Sequence, residues 1–183
     1  MQMQFPLTPP FRLSWLVAVL AAVSTATPVP AFTAGTDAGR FIESIYAHGH
    51  EDAVWSQWLH RATRGAWFSR EMTALWNKCD ARARQSKDPI GALDFDIATN
   101  SQLGWESFEG FTVTVVSQGD GQAVVNARLK TGANTVPPKF DSDNVIRYDL
   151  VREGGAWKID DVRSTIDGKP WSLRALLLDY LKN

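Results

Sequence analysis

The residues of this sequence best suited to chemistry are carboxylates set beside arginines and tyrosines. Asp160 and Asp161 are followed by Arg163, and the apolar-alternating run before them carries Arg147 and Tyr148. On a regular strand Asp160 and Asp161 face opposite sides, so that Asp161 follows Trp157 and Ile159 inward. A buried carboxylate needs a partner, which Arg163 or Arg147 from the neighbouring run supplies. The alternative is a bulge after Asp160 that turns Val162 inward and leaves both acids outside. Asp161, Arg163, Arg147, Tyr148 and Tyr46 form the candidate pocket set. Asp94 and Asp96 join it from Leu93-Asp94-Phe95-Asp96-Ile97, where strict alternation predicts a strand with both acids on one face, about 6 to 7 Å apart. That pair suits a cation, a ligand amine or an arginine. Charge that blunts a strand edge is the other account of it.

Other chemistry-bearing residues lack a matching constellation. His48 and His50 flank Gly49 and share no helical face, and no third ligand is fixed by spacing, so the segment reads as a turn between helices. His60 sits at a helix end, where a cation suits the dipole. Asp141-Ser142-Asp143-Asn144 opens like a calcium loop, but the sixth position is Ile146 and the twelfth Arg152, and the match fails there. Cys79 lies on an apolar stripe with Leu75 and Trp76 and reads as a small hydrophobe. The sequence contains no glycine-rich phosphate loop, nucleophile elbow or paired-cysteine zinc spacing. No cofactor and no metal are expected.

The elements that must position these residues begin after an export signal. Arg12 precedes an apolar run, Leu13 to Ala26, too short to span a bilayer comfortably and followed by Pro28, Pro30 and small residues. Residues 1–31 therefore read as a cleavable signal peptide, and 32–183 as one domain in the periplasm or outside the cell. Of 19 basic and 20 acidic residues only Arg12 falls in the leader, so the domain carries 18 against 20. With no basic run, nucleic acid is not an expected partner, nor is a membrane once the signal is removed. A single cysteine forbids an internal disulfide, and burial of tryptophan must do the work instead.

Phe41, Ile42, Ile45 and Tyr46 share one helical face; Val54, Trp55, Trp58 and Leu59 repeat the spacing. Arg61 to Gly65 reads as a loop. Ser69 N-caps a third helix striped by Met72, Leu75, Trp76, Cys79 and Ala83. Strand-forming runs follow at 108–117 and 123–130, turning at Asp120-Gly121, and two more within 145–165 flank the turn Glu153-Gly154-Gly155-Ala156. Between the second and third lies a long polar loop, Thr131 to Asn144. A short helix from Leu173 to Leu181 closes the chain. Helices first and consecutive hairpins after them predict an α+β domain, with helices packed on one face of an antiparallel sheet.

Four pieces in order carry a family resemblance: Phe41-Ile42 with Ile45-Tyr46, the Phe68-Ser69 helix start, Leu93-Asp94-Phe95-Asp96, and Ala156-Trp157-Lys158-Ile159-Asp160-Asp161-Val162. The sequence resembles the exported bacterial domain of unknown function 3828 family, within the nuclear transport factor 2-like, cystatin-like superfamily. The resemblance implies a curved sheet wrapped around helices as a cone, with a pocket at its wide end. It also allows a homodimer through the outer sheet face. Superfamily enzymes use a His–Asp or Tyr–Asp pair inside the cone, whereas no His lies on a predicted strand here. The expectation is a non-catalytic binding domain for an unknown small ligand or protein. Its rivals are an immunity protein facing a periplasm-acting toxin through Asp141, Asp143 and the 131–144 loop, and a small dehydratase or isomerase using Asp161 with Tyr148 or Tyr46.

Overall fold

The computed structural model describes residues 38–47, 60–88, 91–102 and 107–182. The leader, the expected second helix with Trp55 and Trp58, His48, His50 and Trp105 lie outside the described residues. The described elements are helices α1 (Ala38–Ala47), α2 (Arg64–Trp67), α3 (Arg70–Ser86) and α4 (Leu173–Lys182), with strands β1 (Phe108–Gln118), β2 (Gln122–Thr131), β3 (Val145–Glu153), β4 (Ala156–Ile166) and β5 (Lys169–Ser172). The strands form one five-stranded antiparallel meander in the order β1-β2-β3-β4-β5.

One sheet face is dry because alternation holds along its strands. Ala123, Val125, Ala127 and Leu129 on β2 are buried with Ile146, Tyr148 and Leu150 on β3 and Trp157 and Ile159 on β4. Against this face lie Phe41, Ile42, Ile45 and Tyr46 of α1 and Met72, Trp76 and Cys79 of α3, all buried. Each large side chain so enclosed contributes roughly 1.5–3 kcal/mol relative to exposure. The Ser69 hydroxyl accepts the Met72 N–H at 3.1 Å and donates to Asp160 Oδ1 at 2.7 Å, so the cap that starts α3 also ties it to β4. Lys87 ends α3 in the left-handed region, at φ 56°. The tight β3–β4 turn uses Gly154 and Gly155 at φ 59° and 83°, values that suit glycine.

Three expectations change. Residues 93–97 are not a strand: the Asp96 carboxylate accepts the Ala98 N–H at 2.8 Å, a local turn that competes with ladder pairing. The segment instead closes as a compact loop through an isolated Asp96–Ser101 bridge. The loop expected over 61–65 passes into α2, where Arg64 is buried. Finally, β5 was missed, although Asp167-Gly168 is a hairpin signal; both residues take positive φ, 51° and 73°.

Both accounts of Asp160 and Asp161 prove partly right. Asp149 pairs with Asp161 and Leu150 with Ile159, so Asp160 is the extra residue of a bulge. Beyond it Val162 turns into the core, while Asp161 shares the outer face with Asp149 and is still only 4% exposed. What buries it is the start of α4 folding back, not the core.

Candidate functional site

The seven residues expected to share a pocket separate into three groups. On the outer sheet face Arg147 and Arg163 stand opposite each other, as do Asp149 and Asp161. Asp149 accepts Arg147 Nε at 3.1 Å and pairs with Arg163 at 2.8 Å, and Arg163 Nε donates to Asp161 Oδ2 at 3.0 Å. Asp161 further accepts the Ser172 hydroxyl at 2.8 Å, the Arg174 N–H at 3.0 Å and the Val162 N–H at 2.9 Å. Its lone pairs are therefore spent holding the first turn of α4, where the helix dipole favours a carboxylate. The arrangement fastens β4 to α4 and leaves Asp161 little capacity for a ligand.

Inside the core Tyr46 and Tyr148 meet at 2.8 Å between hydroxyl oxygens. Tyr46 donates to the Ala98 carbonyl at 3.0 Å; having one hydrogen, it must accept from Tyr148. Burial pushes both phenols well above their usual range, and the nearby Asp96 carboxylate adds to the shift. These three residues do converge, but the tyrosines are enclosed and Asp161 is on the other side of the sheet. Asp94 stands alone: its side chain is exposed, and only its carbonyl is engaged, by Gln102 Nε2 at 3.1 Å.

A different set of residues forms a cleft at the end of the sheet where the 131–144 loop returns. Thr99, Asn100, Ser101, Phe108, Thr131, Thr135, Val136, Pro138, Asp143, Asn144, Ile166 and Asp167 enclose about 210 Å³. None of the seven expected residues lines it. Asn100, at φ 54°, is the hub that builds it. Its amide donates to the carbonyls of Asp143 at 2.9 Å and Thr165 at 2.6 Å, and its oxygen accepts Trp171 Nε1 at 2.8 Å. One side chain thus joins the 91–102 loop, the turn before β3, the end of β4 and β5. Asp143 accepts the Thr165 hydroxyl and the Gly168 N–H, the latter at 3.2 Å, and so fixes the β4–β5 turn as the far wall. Asp141 is held away by a two-pronged pair with Arg128 at 2.7 and 2.8 Å.

Among the described residues the polar members of the wall are Thr99, Asn100, Ser101, Thr131, Thr135 and Asn144, with two carboxylates and no lysine or arginine. Thr99 is 3% exposed, and its hydroxyl finds no hydrogen-bond partner among the described residues. A hollow beside α3, lined by Arg70, Glu71, Ala74, Val151, Glu153 and Asp160, is larger at about 560 Å³. There Glu153 already accepts the Arg70 N–H, and Asp160 takes Ser69 and Arg174, so its charged groups answer one another.

Arg64, read from sequence as a loop residue, is buried on the Trp76 ring at 4.4 Å with Asn77 and Asp80 at 2.9 and 3.0 Å. It fastens α2 to α3. Cys79 is buried, its thiol donating to the Leu177 carbonyl at 3.3 Å. Among the described residues no group of three or more His, Cys, Asp or Glu side chains is placed to hold a metal. The Asp167-Gly168 dipeptide and the polar 131–144 segment were the sequence signals for the cleft; the role of Asn100 had none beyond the tolerance of asparagine for positive φ. No family model, curated protein or solved structure matches the chain.

Proposed function

We propose that this chain is an exported, periplasmic or secreted, binding domain that holds a small polar ligand in the Asn100 cleft and performs no chemistry on it. The apolar leader supports export. The observation that carries the binding reading is the cleft itself: a recess walled by neutral hydrogen-bonding groups, with a buried hydroxyl on its lining left unpartnered. The titratable residues that do converge elsewhere serve as structural partners. The nuclear transport factor 2-like cone and the 3828 family resemblance belong to this same proposal. Three register shifts of the bulge kind, which bend a sheet, and helices packed against the dry sheet face suit a cone.

The acids expected to face a toxin are engaged within the chain, Asp141 by Arg128 and Asp143 by the β4–β5 turn. This makes an acidic docking surface the weaker reading. A dehydratase or isomerase built on Asp161 with Tyr46 or Tyr148 requires those side chains to meet, and the sheet separates them. Among the described residues no helix is long and apolar enough to cross a membrane.

The test is a calorimetric screen of the purified chain against a broad set of small polar metabolites. At least one should bind saturably, and Thr135→Trp, which crowds the cleft, should abolish that binding. Conversion of the bound molecule to product, lost in Asp161→Asn, would overturn the reading.

A further inference from the structure

The geometry points to a polyhydroxylated molecule of monosaccharide size, bearing no anionic group, as the ligand of the Asn100 cleft, with the Thr99 hydroxyl as its buried anchor. The inference rests on the binding reading above and narrows it. Size comes first. At about 210 Å³ the cleft falls below the roughly 300–1,000 Å³ of sites for drug-sized ligands.

Charge comes second. Among the described residues Asp143 and Asp167 are the only ionisable side chains on the wall, so a phosphate, sulfate or carboxylate would meet two like charges and no counter-ion there. Asp143 already accepts from Thr165 and Gly168 through one carboxylate oxygen, and the other is suited to take a hydrogen from a ligand hydroxyl or ammonium. Composition comes third. The wall combines five neutral side chains, Thr99, Ser101, Thr131, Thr135 and Asn144, with the apolar surfaces of Phe108 and Ile166; the Asn100 amide is committed to Asp143, Thr165 and Trp171. A sugar or cyclitol ring presents the same alternation, hydroxyls around its edge and C–H faces above and below.

The unpartnered Thr99 hydroxyl is the independent observation. A buried polar group without a partner is costly and calls for an explanation. A ligand hydroxyl reaching the floor would supply the missing hydrogen bond. The apolar rim fits the same ligand: Val136 is 89% exposed and Ile166 42%, enough to shield a ring edge from water.

The experiment uses the purified chain with four probes in calorimetry and saturation-transfer NMR: glucose, myo-inositol, glucosamine and glucose phosphate. Glucose, myo-inositol or glucosamine should bind more tightly than glucose phosphate. Thr99→Val should weaken that binding about tenfold, the value of one hydrogen bond, without lowering the melting temperature, and Thr99→Ser should retain it. Preference for glucose phosphate would overturn the proposal, as would unchanged affinity in Thr99→Val. If all four fail while the broad screen finds a different ligand blocked by Thr135→Trp, the ligand class is wrong and the binding domain stands. If both screens are empty, both readings fall.

Discussion

Tyr46 holds two hydrogen bonds in the core and Tyr148 one, and this asymmetry can be measured. Tyr148→Phe removes a single bond and leaves Tyr46 on the Ala98 carbonyl; the expected loss is about 1 kcal/mol. Tyr46→Phe strands both the Tyr148 hydroxyl and that carbonyl, and should cost more, about 1–3 kcal/mol. Urea unfolding of the two variants gives the order, and the reverse order would show that the donor assignment is wrong. Asp161 is read differently from its neighbours in sequence. Asp161→Ala leaves the Arg174 N–H and the Ser172 hydroxyl without their acceptor, at an expected cost of about 1–3 kcal/mol. Because Asp161 is not among the residues that line the Asn100 cleft, ligand affinity should be unchanged wherever the variant is folded. A loss of affinity in the folded variant would move the site back to the outer ladder.

At the scale of elements, the turns make the sharpest prediction. Gly154 and Gly168 both have positive φ, but a Cβ on Gly154 meets nothing within 4 Å, whereas one on Gly168 meets the Phe140 ring at 3.3 Å. Gly154→Ala carries backbone strain alone, about 1 kcal/mol. Gly168→Ala adds the clash and loosens the wall of the cleft, so it should destabilise more and also weaken ligand binding. Equal melting temperatures for the two would contradict the packing of Phe140. Helices α1, α3 and α4 were legible because a 3.6 period runs through each, and the four long strands because runs of strand-forming residues are bounded by glycine-bearing turns. The segment 93–97 was misread for the same reason: its perfect alternation is real, yet one carboxylate closing on the Ala98 N–H outweighs it. Arg64 and Asn100 were illegible because their roles depend on Asp80, Trp76, Thr165 and Trp171, partners that no local pattern brings together. Asp161 stayed open between an inward, arginine-paired carboxylate and an outward one beyond a bulge, since alternation alone does not decide whether a bulge forms. The bulge is there, and Arg163 still pairs with Asp161.

For the molecule as a whole, pH and thiol reactivity report on the same core. The buried phenols Tyr46 and Tyr148 have folded-state values raised above the unfolded value of about 10, mainly through burial. A group with a raised folded value favours the native state while it is protonated in both states; the contribution falls once the unfolded chain ionises. Stability should therefore be insensitive to these two groups below about pH 10 and fall above it. Their tyrosinate absorbance should emerge only with unfolding; titration in the folded protein would show that the pair is open to solvent. Cys79, buried and raised by the same loss of solvent, should react with a disulfide reagent at the rate of unfolding.

The supernumerary residue in β4 has a last implication. Removing Asp160 would not change which side chains are dry, because Trp157, Ile159 and Val162 would fall into ordinary alternation around Asp161. A deletion mutant would keep the hydropathy of the parent and lose its bend, together with the Ser69 and Arg174 ties. It would separate two instructions that usually travel together in a strand: which way to face, and how far to turn.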